Sequence, residues 1–180
     1  MLLALLEDWR DCTNKVLIFT KSVKLLEIMA HQLKVTSYSF LQLDGSTKQS
    51  EHELSWVLAL FTSLTSARYG NNQYIPQYPD VLVFLISTMA GGTGLKLTGA
   101  NKVVIFDSNW NPAHDLQALD YAFRFGQMCD VSVFRLLGAG SVEELIYVRQ
   151  IYKQPPIANW PVIRPKTIAG HFITYDAMVH

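Results

Sequence analysis

The chain has 180 residues, enough for one domain with a single core, and its 49% hydrophobic and 17% charged residues describe a soluble globular chain. Lys+Arg and Asp+Glu stand at 15 each, which excludes a global basic field, so any nucleic-acid role must rest on local groups. Two cysteines, Cys12 and Cys129, make neither a disulfide framework nor a zinc site, and the apolar residues 1–6 are too short for a signal segment or a membrane span.

Leu2, Leu5, Leu6 and Trp9 recur at helical spacing and predict a short amphipathic helix ending near Asp11. Residues 16–19, Val-Leu-Ile-Phe, form an apolar run of buried-strand type. Ser22 then caps a helix running to about His31, with Leu25, Leu26, Met29 and Leu33 on one side. Residues 40–43 predict a second strand that ends at Asp44-Gly45-Ser46-Thr47. Leu54, Val57, Leu58 and Phe61 mark another amphipathic helix, and residues 62–80, with Pro76 and Pro79, predict a long loop. A third strand over 81–86, apolar throughout, is expected to be central, and a fourth spans 102–106. Asn111-Pro112 is a cap followed by proline at the first helical position, opening a helix to about Arg124. A fifth strand over 131–136 is followed by a capping box, Ser141-Val142-Glu143-Glu144, and a helix to about Tyr152. Pro155-Pro156 stops it, and residues 155–180 read as an irregular tail.

Strands alternating with helices predict an α/β domain with a mostly parallel sheet. Ligands of such sheets bind at the carboxyl ends of the strands. Thr20, Asp44 to Thr47, Ser87-Thr88 and residues 107–111 all fall there.

Several groups in the chain carry chemistry, each beside a plainer reading. Gly91-Gly92-Thr93-Gly94 lets backbone N–H groups turn toward an anion, or simply makes a tight turn. It lacks the third glycine of a dinucleotide loop, because that position is Leu97. Ser46, Thr47, Ser87 and Thr88 offer hydroxyls suited to a phosphodiester backbone, or cap helices. Arg124, between Phe123 and Phe125, suits an arginine finger on a transferring phosphate, or a salt bridge to Asp120. Trp110 in a polar turn can stack on a base or enter a groove, or pack on its own helix. Five histidines show no ligand spacing. The chain contains no G-x-x-x-x-G-K-[ST] and no Asp-Glu pair ending an apolar strand to hold Mg²⁺.

Taken in order, these pieces resemble a known family. They are Leu43-Asp44-Gly45-Ser46-Thr47, Ser87-Thr88-Met89-Ala90-Gly91-Gly92-Thr93-Gly94-Leu95, Phe106-Asp107-Ser108-Asn109-Trp110-Asn111-Pro112, Arg124-Phe125-Gly126-Gln127 and Val142-Glu143-Glu144. Together they resemble the second RecA-like lobe, the helicase C-terminal domain, of the Swi/Snf-type DNA-dependent ATPases in superfamily 2. The run after Glu144 is most similar to the excision-repair, Cockayne-syndrome-B-like branch. The resemblance covers residues 1–154 and implies a RecA-like sheet with helices on both faces.

The resemblance also implies roles. ATP and Mg²⁺ would sit between this lobe and a first RecA-like lobe, which supplies the Walker groups. Arg124 would be the finger, with Gln127 beside it as a second catalytic group, and Gly92, Gly94 and Leu95 would line the nucleotide cleft. Ser46, Thr47, Ser87 and Thr88 would touch the phosphates of duplex DNA, with Trp110 near the groove. The whole motor would be a nuclear translocase or remodeller acting in DNA repair or chromatin, and this lobe alone would not hydrolyse ATP. The alternative is a degenerate or truncated relative serving as a non-catalytic DNA- or protein-binding module. It is motivated by Tyr121, which stands where the family has a second arginine. Lys96 stands where the family has Asn, and His52 stands where an arginine is expected.

Overall fold

The computed structural model describes residues 1–10, 14–44, 61, 81–88, 97–124, 127, 129–153, 164–168 and 171–177. The helix expected around Leu54 (Phe61 apart), the loop at 62–80, and Ser46, Thr47, Gly92, Gly94 and Leu95 lie outside the described residues.

Five strands run parallel: β1 (Val16–Thr20), β2 (Phe40–Leu43), β3 (Val83–Ser87), β4 (Lys102–Ile105) and β5 (Ser132–Leu137). β1 and β3 are buried at every residue, because both faces of the sheet are covered. Alternate side chains serve opposite cores. Val16, Ile18, Val83 and Leu85 pack with α1 (Leu2–Arg10) and α2 (Val23–Val35). Leu17, Phe19, Phe84 and Ile86 pack with Phe61 and with Ala118 and Leu119 of α3 (Pro112–Asp120). This is a RecA-like α/β sheet with helices on both faces.

The helix boundaries follow local chemistry. Ser22 Oγ accepts from Leu25 N at 3.3 Å, and α2 runs past His31 to Val35 because Leu33 continues the buried stripe of Leu26, Met29 and Ala30. Asn111 Oδ1 accepts from Ala113 N at 3.1 Å with Pro112 at the first position. α3 stops at Asp120 rather than Arg124. Beyond it, Ala122 N bonds back only three residues, to Leu119 O at 3.0 Å, and the Tyr121 ring turns onto Phe19. α4 (Val142–Lys153) begins with Ser141 Oγ accepting from Glu143 N at 3.2 Å. The acidic pair reaches further back than a capping box requires, Glu143 to Gly138 N at 2.8 Å and Glu144 to Gly140 N at 3.2 Å.

Within the stretch 155–180, expected to be an irregular tail, residues 164–168 and 171–177 are strands instead. β6 (Arg164–Ile168) and β7 (His171–Ala177) form an antiparallel pair, and β7 adds antiparallel to β5. The sheet order is β2-β3-β1-β4-β5-β7-β6. Pro165 argues against a strand in the sequence, yet it is accommodated because β6 is the edge strand, where a missing N–H is tolerated.

Candidate functional site

At the carboxyl edge of the sheet, the ends of β1 and β4 are tied into one polar knot. Lys21 N donates to Asp107 Oδ1 at 2.9 Å, Lys21 Nζ to Ser108 O at 3.3 Å, and Ser22 N to Thr20 Oγ1 at 3.2 Å. Thr20 O accepts Thr88 N at 2.9 Å, which carries the knot to β3. Burial pushes the Asp107 carboxyl above the ordinary carboxylate value, while the Lys21 N–H, the Thr20 hydroxyl and the Lys21 charge pull it down. Ser87 is in register with Thr20 and buried, at 1% exposure, whereas Thr88 is half-buried. Trp110 is 56% exposed.

The turn under Trp110 is fixed from below. Asn109 N donates to Asp115 Oδ1 at 3.3 Å, and Asn111 N donates to Asn109 Oδ1 at 3.2 Å. Gln150 of α4 donates to Asp115 Oδ2 at 2.9 Å and to the Asn109 carbonyl. Burial raises the Asp115 carboxyl, opposed by the Gln150 bond, the Arg135 charge and the Asn109 N–H, and reinforced by Asp107. Arg135 lies 5.5 Å from the Tyr147 ring centroid, and the buried Ser108 hydroxyl has no partner among the described residues.

Arg124 is not on this edge. α3 starts at the carboxyl end of β4 and runs back, so the residues after it meet the loop leading into the start of β4. Leu97 N donates to Tyr121 O at 2.9 Å, and Gln127 Nε2 donates to Ala100 O at 2.9 Å and Ala122 O at 3.3 Å. Strands of this length rise roughly 15 Å between the two edges. Arg124 is exposed, and its Nε donates to the Asp120 main-chain carbonyl at 3.2 Å. Elsewhere, Arg10 and Glu7 of α1 form an ion pair at 3.8 Å. Tyr121 is a core residue at 3% exposure, with its ring 5.9 Å from that of Phe19 and 20° from parallel, and with its hydroxyl bonded by Gln117 Nε2 at 3.2 Å.

Sequence reasoning missed Lys21, although its place between a strand end and a cap was a usable signal. It also missed the Asp115–Gln150 pair, separated by 35 residues and without any local signature. Among the described residues no three His, Cys, Asp or Glu side chains gather as metal ligands, and no helix is long and apolar enough to cross a membrane.

Comparison with known proteins settles the kinship. The helicase conserved C-terminal domain matches residues 1–126. The chain belongs to the helicase C-terminal domain family. It is 48% identical over 150 residues to Switch 2 of Arabidopsis thaliana, covering 83% of this chain and 16% of that protein. It is 40% identical over 151 residues to human DNA excision repair protein ERCC-6, covering 84% of this chain and 9% of that one. These relatives place this helicase C-terminal domain in the Swi/Snf-type branch. The crystal structure of the C-terminal part of the Fun30 ATPase domain superposes with a TM-score of 0.67 at 35% identity, covering 82% of this chain and 43% of that one. The chain therefore spans 9% to 16% of the length of these two curated relatives.

Proposed function

We propose that this helicase C-terminal domain is the second lobe of an ATP-dependent translocase on duplex DNA, working in repair or chromatin in the nucleus. Its two sheet edges divide the work. Arg124, at the amino edge, would meet the γ-phosphate of ATP held with Mg²⁺ by a first lobe, Gln127 would brace the turn, and Gly92, Gly94 and Leu95 would contact the nucleotide. At the carboxyl edge Thr88, Trp110 and Lys21 meet the DNA, Ser46 and Thr47 are proposed to contact its phosphates, and Ser87, 1% exposed, lies beneath that surface. When bound between closed lobes, ATP would supply the phosphoryl group that passes to water, with ADP as the leaving group. Arg124 supplies fixed positive charge, oriented by the Asp120 carbonyl. The observation that carries this reading is the exposed Arg124 guanidinium, anchored through Nε at the end of α3 and set apart from the polar carboxyl edge.

The test is reconstitution. A separately made first lobe mixed with this chain should regain DNA-stimulated ATP hydrolysis, and Arg124→Ala should lower it by about 10³-fold or more. Arg124→Lys should recover little, since an ammonium lacks the planar fork. Undiminished hydrolysis by Arg124→Ala in a verified complex sinks the assignment. A second reading, a non-catalytic binding module, is favoured by Tyr121, which fills its position with core aromatic rather than charge. Full DNA-stimulated activity of the reconstituted pair with Tyr121 intact would reject it.

A further inference from the structure

Asn109 has no strand or helix to satisfy its main chain, yet both its backbone groups are held. Its N–H reaches Asp115 Oδ1 at 3.3 Å, and its carbonyl accepts from Gln150 Nε2, which also donates to Asp115 Oδ2 at 2.9 Å. Asp115 is 1% exposed and Gln150 2%. The three groups close a ring across α3, α4 and the turn between β4 and α3. Burying a carboxylate and an amide is not the cheapest way to join two helices, because an apolar pair of similar volume would avoid the desolvation cost. What the polar pair adds is specificity for one backbone position, and that position directly precedes Trp110.

The other flank of Trp110 is fixed as well. Asn111 N is bonded to Asn109 Oδ1 at 3.2 Å, and Asn111 caps α3. A large indole, 56% exposed, thus stands on a turn clamped on both sides. An aromatic presented in this way meets a ligand without first losing backbone freedom.

We infer that Gln150 and Asp115 are positioning residues that hold the Trp110 turn in its DNA-contacting geometry, so that α4 sets the grip of the carboxyl edge. The inference rests on the proposed reading of that edge as a DNA surface. Gln150 and Asp115 act through the turn and need not touch the ligand.

The experiment uses the whole chain, a fluorescein-labelled mixed-sequence DNA duplex followed by anisotropy, and amide exchange read by NMR. Gln150→Leu removes the donor at nearly constant volume. Amide exchange at Asn109 and Asn111 should rise by about tenfold or more, as expected for a lost bond to a charged group, while α2 amides stay unchanged. Duplex affinity should fall by about the same factor as for Trp110→Ala. The double variant should bind no worse than Trp110→Ala alone, which a merely structural Gln150 would not produce. Should the leucine variant fail to fold, Gln150→Glu keeps the shape of the side chain. Its carboxylate faces that of Asp115, near Asp107 and Arg135, so its defect should shrink as pH falls and the new carboxyl regains a proton to donate.

Unchanged exchange at Asn109 in a folded variant, or additive losses in the double variant, overturns the inference. If Trp110→Ala weakens binding and Gln150→Leu does not, the DNA reading stands and this inference falls. If Trp110→Ala leaves duplex binding intact, the reading of the edge itself is refuted.

Discussion

Tyr121 invites replacement by arginine, because that is the residue the family resemblance leads one to expect there. The structure sets the consequence. Tyr121 is 3% exposed, its ring lies against Phe19 at 5.9 Å, and Gln117 bonds its hydroxyl at 3.2 Å. Tyr121→Phe removes only that bond and should cost about 0.5–1.5 kcal/mol. Tyr121→Ala should cost about 3–5 kcal/mol, as for other buried aromatics. Tyr121→Arg loses the stacked pair, worth about 0.5–1.5 kcal/mol, and forces a guanidinium beside Phe19. The arginine stem can carry its charge outward, which limits the total to about 2–4 kcal/mol. For a chain of 180 residues each kcal/mol shifts the melting point by about 2–4 °C, so the arginine variant should melt roughly 5–15 °C lower. Thermal unfolding followed by circular dichroism, with urea titration alongside, measures all three variants. An arginine variant melting within about 1 °C of the parent would refute the view that Tyr121 is held by the core.

Three further outcomes follow from the geometry. Asn111→Ala deletes the cap of α3 and should cost about 1 kcal/mol in urea unfolding; no loss would show that Pro112 alone starts the helix. Gln127→Ala breaks its bonds to the Ala100 and Ala122 carbonyls and releases Cys129 N from Gln127 Oε1. It should cost about 1–3 kcal/mol and speed exchange of the Cys129 amide, and unchanged exchange there would count against the clamp. The Asp107 carboxyl should titrate by NMR above the ordinary 3.8, chiefly because it is buried, and Lys21→Met should raise its midpoint further by removing the opposing charge. Because the folded midpoint is the higher one, the stability this group contributes is fully present below its unfolded midpoint and fades as pH rises through the folded one. A midpoint at or below 3.8 would contradict its burial.

The strands were legible because two covered faces demand apolar runs, and residues 16–20 or 83–87 have little else. The caps at Ser22 and Asn111 were legible because each rests on one side chain and its nearest amides. Helix ends were not. α2 outran its expected end and α3 fell short of it, since burial of Leu33 and the Tyr121–Phe19 contact are tertiary facts. The β6–β7 pair was hidden by Pro165, which local rules read as a breaker and the sheet admits at its edge. In the site, Trp110 and Asp107 were found at the carboxyl edge as expected, but Arg124 was not placed on the opposite edge. A helix that follows a parallel strand must run back along it, so that separation was deducible. The Asp115–Gln150 bond was not, because nothing local links residues 35 positions apart.

The two edges are nevertheless joined by a short physical path. Tyr121 O holds Leu97 N near the start of β4, while the Tyr121 ring reaches Phe19, the residue before Thr20. Thr20 O in turn holds Thr88 N at 2.9 Å. A displacement at the turn after α3 therefore meets the carboxyl edge through one ring pair and one strand end. Such a path counts only if its members are energetically coupled, and adjacency alone does not establish that. Phe19→Leu, Tyr121→Leu and the double variant form the cycle that measures it. If the ring pair carries the contact, the coupling energy should be about 0.5–1.5 kcal/mol, with the double variant less destabilised than the sum of the singles. Additivity within about 0.3 kcal/mol would mean that the two rings merely fill the same core, leaving the edges joined through the strands alone.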